Sequence, residues 1–209
     1  MSIANARREY RGQPLIEASA AREPFEQFTR WFEEATATEA DPTAMALATA
    51  GTDGRPSARM VLLKGFDHRG FVFYTNYASR KGGELDATHR AALLFYWPVL
   101  DRQVRIEGAV SRLEDGESDA YFASRPLESR WSAHASPQSH VIESRESLET
   151  AVARVRAQYG DAVPRPAGWG GFRVSPDAFE FWQGRENRLH DRLAYVLDAG
   201  AWRRQRLAP

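Results

Sequence analysis

Three apolar segments, AMALATA (44–50), SARMVLLK (57–64) and FVFYTN (71–76), follow one another with only GTDGRP and GFDHRG as the main connectors. Each segment reads at the strand period or as a short apolar run, and each connector is a Gly/Asp/Pro turn signal. Connectors this short reverse the chain. A parallel neighbour would need a crossover of a dozen or more residues. The centre of the chain is therefore committed to an antiparallel sheet.

The remaining segments agree. AALLFYW (91–97), RQVRIEGAVSRLE (102–114), GGFRVSP, AFEFWQG, RLHDRLAYVLD and AWRRQRLAP read as further strands, the last two joined by a turn at Asp198-Ala199-Gly200. Helices punctuate the pattern. In EPFEQFTRWFEEATA, Phe25, Phe28, Trp31, Phe32 and Ala35 share one helical stripe, with Pro24 at a first-turn position. SRKGGELDA predicts a short helix, DAYFASRP a helix stopped by Pro126, and SRESLETAVARVRAQYG (144–160) a helix capped by Ser144 and ended by Gly160. The expected fold class is mainly β with added helices, a barrel rather than a doubly wound parallel sheet. Residues 1–22 are polar and arginine-rich and read as an arm; residues 23–209 read as one domain.

The 209 residues carry no cysteine, which excludes thiol catalysis and cysteine-zinc sites. Formal charge is zero, against the basic excess of a general nucleic-acid binder. No apolar run reaches the roughly 20 residues of a membrane span, and no signal-like h-region is visible, so a cytoplasmic protein is expected. Dinucleotide, phosphate-loop, zincin and nucleophile-elbow motifs are absent. His134 and His140 are too loosely spaced to argue for a metal.

What remains is a set of anion seats. Two of the 28 Lys+Arg side chains are lysine, Lys64 and Lys81. In RMVLLK, Arg59, Val61 and Leu63 share one strand face and Met60, Leu62 and Lys64 the other. Lys64 either snorkels to water or sets a compact charge against a ligand, a task the wide arginine fork does not perform equally well. Arg80 and Lys81 follow Ser79 at a helix start, where backbone N–H groups and two cations suit a phosphate. In RLHDR (188–192), a strand would put Arg188, His190 and Arg192 on one face, tolerable in solvent or opposite an anion. Gln103 and Arg105 share a strand face. Tyr121, Arg125 and Ser129 fall at helical spacing and line either a groove or a solvated face. Trp182 reads as core or as a stacking surface. Together these suggest a phosphorylated aromatic ligand, or two.

RREY, RMVLLK, FVFYTNYASRKGGEL, RQVRIEG, YFASRPLES, WGGFRV, EFWQGRENRLHDR and the closing RLAP, in this order along nearly the whole chain, resemble the pyridoxamine 5'-phosphate oxidase family. The resemblance implies a homodimeric, FMN-binding split β-barrel with FMN at the subunit interface. It also implies oxidation of pyridoxamine or pyridoxine 5'-phosphate to pyridoxal 5'-phosphate, with O2 as acceptor and H2O2 as product. Carried over, FMN contacts fall on Arg59, Met60, Val61, Leu62, Leu63, Lys64, Tyr74, Thr75, Arg80, Lys81, Gln103, Gln138, Ser139, Trp182 and Arg192. Substrate contacts fall on Lys64, Tyr121, Arg125, Ser129, Arg188, Leu189 and His190, with Arg7 and Tyr10 of the arm as a cover. Arg188 and His190 are the expected catalytic pair. One block departs: SRWSAHASPQS has Ser132 and His134 where the family more often shows Gly and Trp. A flavin or deazaflavin reductase on the same barrel, or a non-catalytic binder of pyridoxal phosphate or flavin, are the competing readings.

Overall fold

The computed structural model describes residues 9–209. Among these, the elements run α1 (Pro24–Thr38), β1 (Ala44–Ala50), β2 (Pro56–Leu62), β3 (Gly65–Asp67), β4 (Gly70–Asn76), α2 (Arg80–Thr88), β5 (Arg90–Trp97), β6 (Arg102–Arg112), α3 (Asp115–Ser124), α4 (Leu127–Ala135), α5 (Arg145–Tyr159), β7 (Trp169–Gln183), a 3-10 turn (Glu186–Arg188), β8 (Asp191–Asp198) and β9 (Ala201–Leu207).

Every strand pairing is antiparallel, in the order β2-β1-β5-β6-β7-β4-β3, with β8 and β9 continuing from β7. β7 is the hinge of the architecture. Its first half pairs with β4 and its second half with β8, while β6 runs along its other edge. The change of partner coincides with a register shift between Glu107 and Gly108. A bulge bends the strand and increases its twist, so one sheet divides into two curled halves, the mainly β barrel expected from the sequence.

Strand alternation sorts the sheet into two faces. The row Val61, Met45, Phe95, Val104, Phe181, Leu193 points inward and is buried from Met45 onwards. α1 closes this face: Phe28, Trp31 and Ala35 are buried, and Phe28 meets Phe66, Phe71 and Phe95 edge-on at 4.8–5.2 Å. A fully buried phenylalanine of this kind contributes roughly 1.5–3 kcal/mol of transfer free energy. The arm reaches this core as well, since Leu15 is buried within it. The outer face carries the row Met60, Ala46, Leu94, Arg105, Glu180, Ala194 and, beside it, the row Tyr96, Gln103, Trp182, Arg192, Leu207. A second cluster, Phe122, Trp131, Val163 and Trp169, holds α3, α4 and α5 against β7.

Four details differ from the sequence reading. GGFRVSP and AFEFWQG are one strand, with Pro176 paired to Gly108 beside the register shift, the kind of place where a strand tolerates proline. GFDHRG supplies the short strand β3 before its turn. β8 begins only at Asp191. Asn187 and Arg188 adopt left-handed backbone (φ 55° and 62°), so Arg188, His190 and Arg192 do not alternate along a strand: Arg188 and His190 belong to the β7–β8 connection. Tyr121, Arg125 and Ser129 are not on one helix either. α3 stops at Ser124, Arg125 is extended, and α4 restarts after Pro126. No helix among the described residues is long and apolar enough to cross a membrane.

Candidate active site

A groove of about 520 Å³ opens where the end of β2, the end of β4, the start of α2 and the α3–α4 junction meet. Lys64 stands at its corner. Its backbone N–H donates to Val72 O (2.8 Å), while that of Leu63 donates to Thr43 O (2.9 Å), so the residues just past β2 are tied to β4 on one side and to the segment leading into β1 on the other. Arg59, Met60, Val61 and Leu62 line the same wall.

Three aromatic rings lie parallel at the floor. Tyr74 stacks on Tyr121 (3.9 Å, 15°) and on Trp169 (5.5 Å, 11°). Arg125 lies over Trp169 with its guanidinium carbon 4.6 Å from the ring centre. Its Nη1 is buried and has no hydrogen-bond partner among the described residues. Burial depresses the Arg125 pKa, and Tyr121 partly opposes this. A buried guanidinium nitrogen without an acceptor is costly unless a ligand supplies one. The broken helix that the sequence did not reveal is what places Tyr121, Arg125 and Ser129 on one wall.

Lys81, 9% exposed, lines the same groove. Its Nζ donates to Thr75 Oγ1 and Gln138 Oε1, both at 3.3 Å, and Thr75 Oγ1 donates to Gln138 Oε1 at 2.9 Å. Burial, then the neighbouring Arg59, lowers the Lys81 pKa, while Glu84 acts in the opposite sense. Ser79 caps α2, accepting from Gly82 N, which aims the helix start at the groove. Arg80 does not line the groove. Its Nε donates to Glu84 Oε1 at 2.8 Å on the exposed side of α2. Glu84 also accepts from Thr49 (2.5 Å), Ser57 (2.6 Å) and Arg59 (3.3 Å). Burial would raise its pKa, but the hydrogen bonds from Ser57, Thr49 and Arg80 outweigh it and hold the carboxyl at about 2. Ser139 follows Gln138 in a left-handed turn (φ 72°) outside the groove lining.

Gln103, Trp182 and Arg192 lie elsewhere. They are cross-strand neighbours on β6, β7 and β8 and line a separate cavity of about 330 Å³. Glu180 fixes two guanidiniums there, accepting from Arg105 (2.5 Å) and Arg192 (2.8 Å). Arg192 also donates to Ala208 O (2.7 Å), drawing the closing RLAP onto this face. Beside it, His190 packs on Trp182 (4.7 Å) and meets Tyr10 edge-on (5.3 Å, 88°). His190 Nδ1 accepts the Arg185 backbone N–H (3.1 Å), so a neutral ring carries its proton on Nε2. Burial, then the charge of Arg188, lowers its pKa and favours that neutral form. Arg188 and Leu189 are exposed and line neither cavity. Arg7 lies outside the described residues.

The residues singled out from the sequence therefore gather into two groups, one around Lys64, Lys81 and Arg125 and one around Gln103, Arg192 and His190, with no lining residue in common. Sequence reasoning missed Glu84 and Glu180, the carboxylates that hold Arg59 and Arg192 in place, and the floor residue Trp169. The i,i+4 spacing of Arg80 and Glu84 was the one local signal available. At the departing block, His134 Nε2 lies 2.6 Å from Pro164 O and its ring packs on Tyr159, so the histidine braces α4 against the segment after α5. Ser132 bonds back to Glu128 O within α4.

A curled antiparallel barrel with an aromatic-floored, cation-walled groove defines a split-barrel protein. A family model described as pyridoxamine 5'-phosphate oxidase matches residues 31–159, and one described as the pyridoxine 5'-phosphate oxidase C-terminal dimerisation region matches 169–209. The chain belongs to the pyridoxamine 5'-phosphate oxidase family, a family of oxidoreductases. It is 58% identical over 208 residues to a pyridoxine/pyridoxamine 5'-phosphate oxidase of Thermosynechococcus vestitus, covering 99% of both chains. It is 56% identical to one of Bordetella petrii over the full length of both. Among solved structures, PhzG from Burkholderia lata in complex with tetrahydrophenazine-1-carboxylic acid superposes with a TM-score of 0.89 at 36% identity, over 95% of this chain and 99% of that one. A pyridoxamine 5'-phosphate oxidase-related, FMN binding protein from Nostoc punctiforme shares the fold, with a TM-score of 0.71 at 16% identity over 90% of this chain and 100% of that one.

Proposed function

We propose that the protein is an FMN-dependent oxidase, converting pyridoxamine or pyridoxine 5'-phosphate to pyridoxal 5'-phosphate. Oxygen is the acceptor, hydrogen peroxide the product, and ammonia is released from the amine. The working unit is a homodimer with FMN at the interface, acting in the cytoplasm in the synthesis and salvage of pyridoxal phosphate. The observation that carries this reading is the buried, partnerless Nη1 of Arg125 in a groove shared with Lys64, Tyr121 and Ser129. That donor set suits a phosphate dianion: a fork, a point charge and two hydroxyls.

The residues present also fit FMN. Lys81 at the capped start of α2 and Thr75 near the end of β4, together with Arg59, provide cationic and hydroxyl donors for a second phosphate, and Gln138 and Gln103 offer amides to a heteroaromatic ring. FMN, when bound, supplies the acceptor for the hydride equivalent leaving the substrate. The protein's part is placement. Lys64, Tyr121, Arg125 and Ser129 anchor the substrate phosphate. Arg188 and His190 orient the pyridine ring, with neutral His190 able to donate from Nε2. Tyr10 and Trp182, packed on His190, exclude water from that side. Placement of this kind is worth several orders of magnitude in rate.

Anaerobic addition of pyridoxine 5'-phosphate to the FMN-loaded protein should bleach the flavin absorbance, and admitting air should restore it with release of peroxide. Failure to take up FMN would refute the proposal. Reduction by a nicotinamide with no response to pyridoxine phosphate would establish the reductase instead, and ligand titration without turnover the non-catalytic binder. Arg188→Met should slow turnover far more than it weakens FMN binding.

A further inference from the structure

From Arg11 to Ala21 the arm is fastened to the β5–β6 turn, the β7–β8 connection and the last two strands. Arg11 N donates to Asp101 Oδ2 (3.2 Å), and Gly12 O accepts from Arg185 Nη1 (2.6 Å). Leu15 N donates to Asp191 Oδ2 (3.1 Å). Ala20 O and Ala21 O accept from Arg204 Nη1 at 2.9 and 3.2 Å. Between these points stands Arg206, all three of whose guanidinium nitrogens are engaged. Nε and Nη2 grip the two oxygens of Glu17 (2.7 and 2.9 Å), Nη2 also donates to Leu15 O (2.9 Å), and Nη1 donates to Asp191 Oδ1 (2.8 Å). Asp191 thus receives the arm backbone through one oxygen and Arg206 through the other, and it is the residue directly after His190. The hydrogen bond from Arg206 is also the main cause of a Glu17 pKa held at about 2.

An isolated surface ion pair is worth little, whereas a bidentate fork inside a network fixes geometry. What is fixed here is the arm's approach to the site. Tyr10 lies edge-on against both His190 (5.3 Å) and Trp182 (5.4 Å). It comes so close to Gly184 that an added Cβ there would stand 2.6 Å from the tyrosine ring.

We infer that Arg206 is a positioning residue: by clasping Glu17, Leu15 and Asp191 together it holds Tyr10 on the His190–Trp182 face, making the arm a fixed wall of the active site. Among the described residues Arg206 bonds only Leu15, Glu17 and Asp191, none of them a proposed ligand-holding residue, and the inference assigns its effect on the reaction to Tyr10.

The test uses the FMN-loaded enzyme and two independent measurements. In Arg206→Met, amide hydrogen exchange across residues 11–17 should quicken by roughly tenfold or more while β4 to β7 keep their protection. kcat/KM for pyridoxine 5'-phosphate should fall by roughly tenfold, mainly through KM, with the FMN dissociation constant within about twofold of wild type. In a Tyr10→Ala background the same substitution should cost less than about twofold, because the residue it positions is gone. Unchanged exchange in the arm, or equal losses with and without Tyr10, would overturn the inference. The kinetic arm rests on the oxidase reading, and a wild-type enzyme that does not oxidise the substrate sinks that reading alone. The exchange measurement judges the clasp either way.

Discussion

Arg125 shows how a single side chain is shaped by a ligand that arrives later. Its guanidinium lies over Trp169 with Nη1 buried and unmatched, so the unliganded protein bears a desolvation cost that bound phosphate would remove. Arg125→Met should therefore leave thermal stability within about 0.5 kcal/mol of wild type or raise it, since replacing an unpaired buried charge by an apolar chain is often neutral or favourable. The same substitution should raise KM for pyridoxine 5'-phosphate by the value of a charged hydrogen bond, about 1.5–3 kcal/mol or roughly ten- to hundredfold. Glu84 is the opposite case, a buried carboxylate with every oxygen satisfied. Its folded pKa of about 2 lies below the ordinary 4.5, so its contribution to stability is complete above about pH 4.5 and is lost as pH falls through about 2. Glu84→Gln should lower the urea midpoint at pH 7 and flatten the acid side of the stability profile over that window. At this scale the sequence was informative where chemistry was rare. Two lysines in an arginine-rich chain marked two positions in the groove. It was silent about Glu84 and Glu180, because a carboxylate's partners are set by folding and acidic residues are common.

Elements were legible in proportion to how much of their pattern is local. The apolar stripe of α1 and the Ser144 cap of α5 predict those helices because capping and amphipathicity are properties of the segment itself. β8 was misplaced because Arg188, His190 and Arg192 alternate in sequence, while the left-handed backbone of Asn187 and Arg188 is imposed by closing the β7–β8 pairing at Gln183 and Asp191. α4 was missed because Pro126 ends one helix and caps the next, and only the packing of Trp131 in the second cluster shows that a new helix has begun. β7 looked like two strands because Pro176 ordinarily ends one. Its place at the bulge resolves the conflict, and the bulge depends on Gly108. A Cβ there would stand 2.1 Å from Ser175 O, in contact with backbone that has no rotamer through which to yield. Gly108→Ala should cost about 1–3 kcal/mol, read as a lower urea midpoint at unchanged slope.

For the whole molecule, the decisive fact is that one chain presents two separate cavities, which the proposed function reads as two parts of one site. The cationic groove lies beyond β2, and the Gln103–Trp182–Arg192 cavity lies on β6 to β8. The outer face between them carries apolar side chains that a lone chain leaves in water: Met60 is 64% exposed, Tyr96 48% and Leu62 42%. In the proposed homodimer, a two-fold axis through such a face would bring the groove of one copy to the cavity of the other, twice over. In the sequence, the two-copy arrangement is implied only by the family resemblance, because single residues name the side chains of a site but not which copy supplies them. The arrangement makes a quantitative prediction. Lys81→Met damages only the groove, and Arg192→Met only the cavity, so each variant alone should be nearly inactive. When the two are unfolded together and refolded in equal amounts, about half of the dimers are hybrids. In each hybrid one site combines both lesions, and the other combines an intact groove with an intact cavity. Activity should return to about a quarter of wild type, and FMN bound per chain should rise in the same proportion. If each chain instead completed its own site, every site in the mixture would carry one lesion and mixing would restore nothing.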